Sequence, residues 1–154
     1  MRLSAFTDYS IRLLIYLAAA PTSMARIKDV SDAYNISRNH LMKVASHLNR
    51  AGFITTQRGP GGGLKLAREA SEINLSDVVM ATEEEWVMAE CFTCNNQCVI
   101  TPWCKSRCVL TEALSAFHEV LSAYTLEQMV ESGSELIHAL NLGAGCEATR
   151  DRPA

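Results

Sequence analysis

Five of the chain's six cysteines, Cys91, Cys94, Cys98, Cys104 and Cys108, fall within eighteen residues, spaced C-x2-C-x3-C-x5-C-x3-C. Thiolates packed this densely in one loop bind a metal or one another. The odd count and the absence of a credible secretion signal argue against a disulfide framework. Two metal chemistries fit. Zinc would take four thiolates, most naturally Cys91, Cys94, Cys104 and Cys108, in a closed tetrahedron. An iron–sulfur cluster would take three or four from a looser, reactive loop. Spacing leaves both open. A set of buried hydrophobic cysteines is a poor third reading, because Asn95-Asn96-Gln97 and Lys105-Ser106-Arg107 stand among them. No enzyme signature competes. The glycine run Gly59–Gly63 lies between β-prone segments instead of opening a helix, and no Cys/His pair is placed for nucleophilic catalysis.

The elements that would carry this loop begin with three helices. Ile11, Leu14, Ile15, Leu17 and Ala18 make a helical stripe over Thr7–Ala20, stopped by Pro21. A short helix fits Ile27–Tyr34, Asn35-Ile36 turns the chain, and Ser37 is suited to N-cap a third helix through Arg50, closed by Gly52. This is a helix-turn-helix pattern. Phe53–Gln57 and Leu64–Leu66 flank the turn Arg58–Gly63, which adds a β-hairpin and makes a winged helix. Polar residues on the third helix predict DNA contact. Arg38, Asn39 and His40, near its N-terminus, are candidates for base edges, and Lys43 and Arg50 for phosphates. Arg58 and Lys65 flank the wing, where Gly62 and its neighbours let backbone approach a duplex. His40 and His47 are read equally well as ordinary surface histidines.

Charge divides along the same line. Residues 1–70 carry ten Lys/Arg against four acids, and residues 71–154 four against thirteen, beneath a net charge of −3. A basic half suits a polyanion, and an acidic half suits a partner subunit or solvent. The apolar run Leu13–Ala20 is too short for a membrane span, so the expectation is a cytoplasmic protein with no membrane partner. Beyond the cysteines, Leu110, Leu114, Phe117, Leu121 and Tyr124 form a heptad seam that predicts a dimerising helix, with a helix folded onto the chain's own core as the alternative. The expected organisation is a mainly α protein: a winged helix-turn-helix over 1–82, a cysteine-rich loop over 83–108, a dimerisation helix and C-terminal helix over 109–142, and a disordered tail over 143–154. Glu83-Glu84-Glu85 reads as a solvated charge run, and Cys146 as incidental.

Phe6-Thr7-Asp8-Tyr9-Ser10-Ile11-Arg12, Ser37-Arg38-Asn39-His40, the glycine wing and the cysteines followed by Ala123-Tyr124-Thr125-Leu126 together resemble the IscR/NsrR family, from Met1 to about Glu131. The likeness is greatest to its nitric-oxide-sensitive branch. The resemblance implies a homodimeric winged-helix repressor on a near-palindromic double-stranded DNA operator, with an iron–sulfur cluster (4Fe–4S, or alternatively 2Fe–2S) as sensor. It also implies Cys91, Cys98 and Cys104 as ligands. Cys94 and Cys108 depart from the family pattern and are alternative fourth ligands. In some members the fourth ligand looks to be an aspartate of the other subunit's first helix, a place that Asp8 matches. IscR-like members use a histidine three residues after the last cysteine, where this chain has Arg107. Met88-Ala89-Glu90-Cys91-Phe92 also resembles RirA, an iron regulator of rhizobia. That likeness keeps an iron- or cluster-status regulator as an alternative, beside a zinc-stabilised DNA-binding protein without sensing chemistry.

Overall fold

The computed structural model describes residues 3–20, 24–59, 61–83, 88–131, 133–140 and 142. The tail 143–154, with Cys146, and Glu84-Glu85 lie outside the described residues.

Helix α1 (Ala5–Ala19) starts where the Ser4 hydroxyl accepts the Thr7 amide at 3.1 Å, satisfying one of the donors a helix start leaves open. Its inner face buries Leu13, Leu14, Tyr16 and Leu17. Helices α2 (Ile27–Tyr34) and α3 (Arg38–Arg50) are joined by a tight turn. Asn35 supplies the left-handed conformation there (φ 52), which asparagine tolerates better than most side chains. Ser37 stands at the N-cap of α3 as expected, yet its hydroxyl makes no cap bond. At the other end Gly52 (φ +77) lets the Phe53 amide donate back to the Leu48 carbonyl at 2.9 Å, closing the helix.

Strands β1 (Ile54–Gln57) and β2 (Gly63–Leu66) pair antiparallel, Ile54 opposite Leu66 and Gln57 opposite Gly63. Ala25 adds a two-bond bridge to Leu64 at 2.9 and 2.7 Å, so the wing is stitched to the segment before α2. Gly62 must be glycine for a steric reason: a Cβ there would run into the Gln57 carbonyl. The fold is the mainly α winged helix expected.

After α4 (Leu75–Thr82) the chain passes through the cysteine loop into α5 (Lys105–Ser122), then α6 (Leu126–Met129) and α7 (Gly133–Ala139). Leu126 and Leu140 lie in the same core as Leu13, Leu41, Leu48 and Ile54. Leu126 also donates to the Ile73 carbonyl at 2.8 Å. The segment 109–142 therefore contains closing elements of the winged-helix core as well as the long helix.

Helix α5 is the exception to this packing. None of its residues is buried. Its seam residues Leu110, Leu114, Phe117 and Leu121 are half-buried, on the side where His118 meets the Ser76 hydroxyl at 3.2 Å. Asn74 further donates to the Ser122 carbonyl at 2.6 Å. One side of α5 thus rests on α4, while the adjoining stripe Val109, Ala113, Ala116, Val120 and Ala123 stands exposed.

Candidate nucleic-acid interface and thiol loop

Helix α3 buries Leu41, Val44, Ala45 and Leu48, so the helical period turns Asn39, Met42, Lys43, Ser46 and Arg50 outward. These five line one shallow groove. Of the residues expected to read DNA, Asn39, Lys43 and Arg50 stand in it. Arg38 and His40, also exposed, flank it. Arg38 lies 4.0 Å from Asp32, and the His40 ring stacks on Tyr9 of α1, centroids 6.2 Å apart. His47 turns inward: Nε2 bonds the Ala81 carbonyl at 2.7 Å, and its ring makes a T-shaped contact with Phe6, centroids 5.3 Å apart. Half-buried there, it ties α3 to α1 and α4. Arg58 and Lys65 are exposed on the wing beside Gly62. Sequence reasoning passed over Met42 and Ser46, which the helical period from Asn39 would have placed on the same face.

The loop 88–104 is organised by its own polar residues. Glu90, beside Cys91, accepts the Gln97 amide at 2.9 Å and so draws the backbone next to Cys98 towards Cys91. The Cys98 amide donates to Asn96 Oδ1 at 3.0 Å, and its carbonyl accepts the Thr101 hydroxyl at 2.7 Å. The short 3-10 turn Thr101–Trp103 then delivers Cys104 to the N-cap of α5. Cys91, Cys98 and Cys104 are half-buried, whereas Cys94 and Cys108 are exposed.

All five thiols are free, and soft thiols fit zinc or an iron–sulfur group by donor chemistry. Among the described residues, however, no group of three or more His, Cys, Asp or Glu side chains converges to hold a metal ion. Neither the four cysteines of the zinc reading nor the three of the cluster reading are gathered to coordination distance there.

Asp8 is engaged within its own helix. Arg12 grips both carboxylate oxygens, Nε to Oδ1 at 3.0 Å and the guanidinium to Oδ2 at 2.9 Å, with both side chains 44% exposed. The same guanidinium lies 5.9 Å from the centroid of the Tyr34 ring. Burial pushes the Tyr34 phenol up, and Arg12 opposes it.

Residues 3–132 match the model of a family described as Rrf2, iron-dependent transcriptional regulator. The chain is 43% identical over 144 residues to the HTH-type transcriptional regulator NsrR of Bacillus subtilis (strain 168), covering 92% of this chain and 99% of that one. It is 41% identical over 143 residues to protein aau3 of Rhizobium meliloti (strain 1021), covering 92% and 93%. Among solved structures, T. potens IscR superposes with a TM-score of 0.71 at 21% identity, over 88% of this chain and 90% of that chain. CymR, the global cysteine regulator of B. subtilis, superposes at 0.70 and 22% identity, over 86% and 98%. At these identities the two structures speak for the fold.

Proposed function

The chain belongs to the Rrf2 family of iron-dependent transcriptional regulators, and from that premise we propose a homodimeric repressor that senses nitric oxide through the cysteine loop. It is a transcription regulator and not an enzyme. The repressor grips a near-palindromic double-stranded operator with α3 and the wing, and works in the cytoplasm, where thiols stay reduced. No helix among the described residues is long and apolar enough to cross a membrane.

Cys91, Cys98 and Cys104 would hold the group, a 4Fe–4S cluster in the first instance and 2Fe–2S in the second. One observation carries this assignment: Cys91, Cys98 and Cys104 are half-buried in or beside the hydrogen-bonded loop, while Cys94 and Cys108 are exposed. Bound there, such a group supplies iron able to take nitric oxide as a ligand. Asp8 of the partner subunit is the proposed fourth ligand, and Cys94 or Cys108 the alternative. A carboxylate is harder than a thiolate and would be the weaker match in a site otherwise built of thiolates, so it would be the more readily exchanged ligand. To serve, Asp8 must loosen its pairing with Arg12.

The dimer forms through α5. The stripe Val109, Ala113, Ala116 and Val120 is free because the seam beside it already rests on α4. Lys105 and Arg107 at one end and Glu119 towards the other make the helix self-complementary in an antiparallel pair about a two-fold axis. DNA-competent and incompetent dimers must differ in affinity for the signal, since only a differential affinity shifts the population.

Anaerobic purification with iron, sulfide and zinc analysis tests the reading. Iron and sulfide in a brown protein support it; colourless protein with zinc rejects it in favour of a metal-stabilised DNA-binding protein. The family's iron-dependent description, with the likeness around Met88–Phe92, favours as second reading a regulator of iron or cluster status. Operator release on iron depletion, with no response to nitric oxide, would select it.

A further inference from the structure

We propose that Met42 is a specificity-determining residue of α3, reading the 5-methyl group of a thymine in each operator half-site. This rests on α3 being the helix that enters the major groove. Met42 is 52% exposed, although α3 has an inner face that buries every other large apolar side chain it carries. It opens instead onto the outward groove among Asn39, Lys43, Ser46 and Arg50. All four of those neighbours are polar or charged, so Met42 is the one apolar side chain among the residues that line this groove. On the major-groove edges of the bases there is one apolar group, the thymine methyl. A thioether side chain, unbranched and polarisable, adapts its rotamers to such a contact without demanding a fixed backbone distance. Asn39 stands one turn before Met42, where it suits the N6/N7 edge of adenine. Asn39 and Met42 together therefore read an adenine and a methyl-bearing base at adjacent steps, and Lys43 and Arg50 fix the register on phosphate.

The test uses the full chain, purified anaerobically with its iron and sulfide retained, and duplex DNA. A random-sequence duplex library is selected on the protein, and each thymine of the preferred half-site is then replaced by deoxyuridine, which keeps the Watson–Crick edge and removes only the methyl. At one thymine the replacement should weaken binding about fourfold, the effect of withdrawing one buried methyl group. Met42→Ala and Met42→Gln should bind thymine and deoxyuridine equally at that position, whereas Met42→Leu should keep the discrimination. Because Met42 is exposed, thermal melting should be unchanged in all three variants. The proposal is overturned if the wild-type chain is indifferent to every thymine replacement, or if Met42→Ala retains the same discrimination. Failure to select any sequence overturns it together with the operator-binding reading; a selected operator with no methyl sensitivity overturns Met42 alone.

Discussion

Cys98 is held in the loop by its backbone, the amide by Asn96 and the carbonyl by Thr101. Alanine at Cys91, Cys98 or Cys104 should therefore empty the loop of iron and sulfide, while Cys94→Ala and Cys108→Ala should leave the content per chain near wild type. The reverse pattern would move the ligand set to the exposed pair. At Asp8 the magnitudes decide what a variant means. An exposed i, i+4 pair with Arg12 is worth about 0.3–0.5 kcal/mol. Asp8→Ala should accordingly leave thermal stability almost unchanged, so an altered cluster spectrum and operator response would report ligation and not lost helix stability. An Asp8→Ala protein with native spectrum, nitric-oxide kinetics and DNA response would make Asp8 a helix-start acid only. The cysteines and the basic residues of α3 were legible in the sequence because residue type and spacing carry their chemistry. The inward role of His47 was not, because its partner, the Ala81 carbonyl, lies 34 residues away. Met42 was passed over because attention to charge skips an apolar residue on a polar face.

At the scale of elements, α2 and α3 were readable to the residue, since Asn35 and Gly52 supply the left-handed turns that end them. The bridge from Ala25 to Leu64 was invisible, because a single pair of backbone bonds leaves no periodic trace. The wing offers a direct check. Gly62→Ala would force Cβ against the Gln57 carbonyl, straining the hairpin by on the order of 1–3 kcal/mol. Operator affinity should fall while helical circular dichroism is retained; undiminished affinity would detach the wing from DNA binding. The long helix was legible as amphipathic, but which of its faces is free depends on α4, which no local pattern reveals. Ala116→Glu with Val120→Glu would place charge in the exposed stripe, costing several kcal/mol across a dimer interface and little in the folded subunit. Sedimentation should find a folded monomer. A folded dimer would send the interface to another surface. Leu114→Asp with Leu121→Asp, on the face turned to α4, should instead loosen that packing and lower the melting temperature.

Across the whole molecule, the basic winged helix and the acidic remainder belong to one continuous core, because Leu126 and Leu140 return to pack with α1 and α3 residues. That return was hidden from the sequence: Leu126 and Leu140 are separated from their partners by the cysteine loop and α5. It matters because the chain that leaves the core at α4 re-enters it at α6, so the thiol loop and α5 are anchored at both ends to the DNA-reading unit. A change in the loop thus has a short physical route to α3. The basic half also sets a salt signature: Lys43→Ala should reduce the slope of log affinity against log salt by about 0.9 per subunit, with base preference intact, whereas Arg38→Ala should relax base preference at a cost of roughly 1–3 kcal/mol. The central claim is that cluster chemistry and operator binding are coupled in one dimer. The most direct measurement is operator affinity of the anaerobic, iron- and sulfide-replete protein at fixed salt during stepwise addition of nitric oxide, followed on the same samples by cluster absorption. Affinity should collapse in step with the loss of cluster absorbance, and metal-free protein should bind operator no better than the fully reacted form. Cluster loss with unchanged operator affinity would contradict the account.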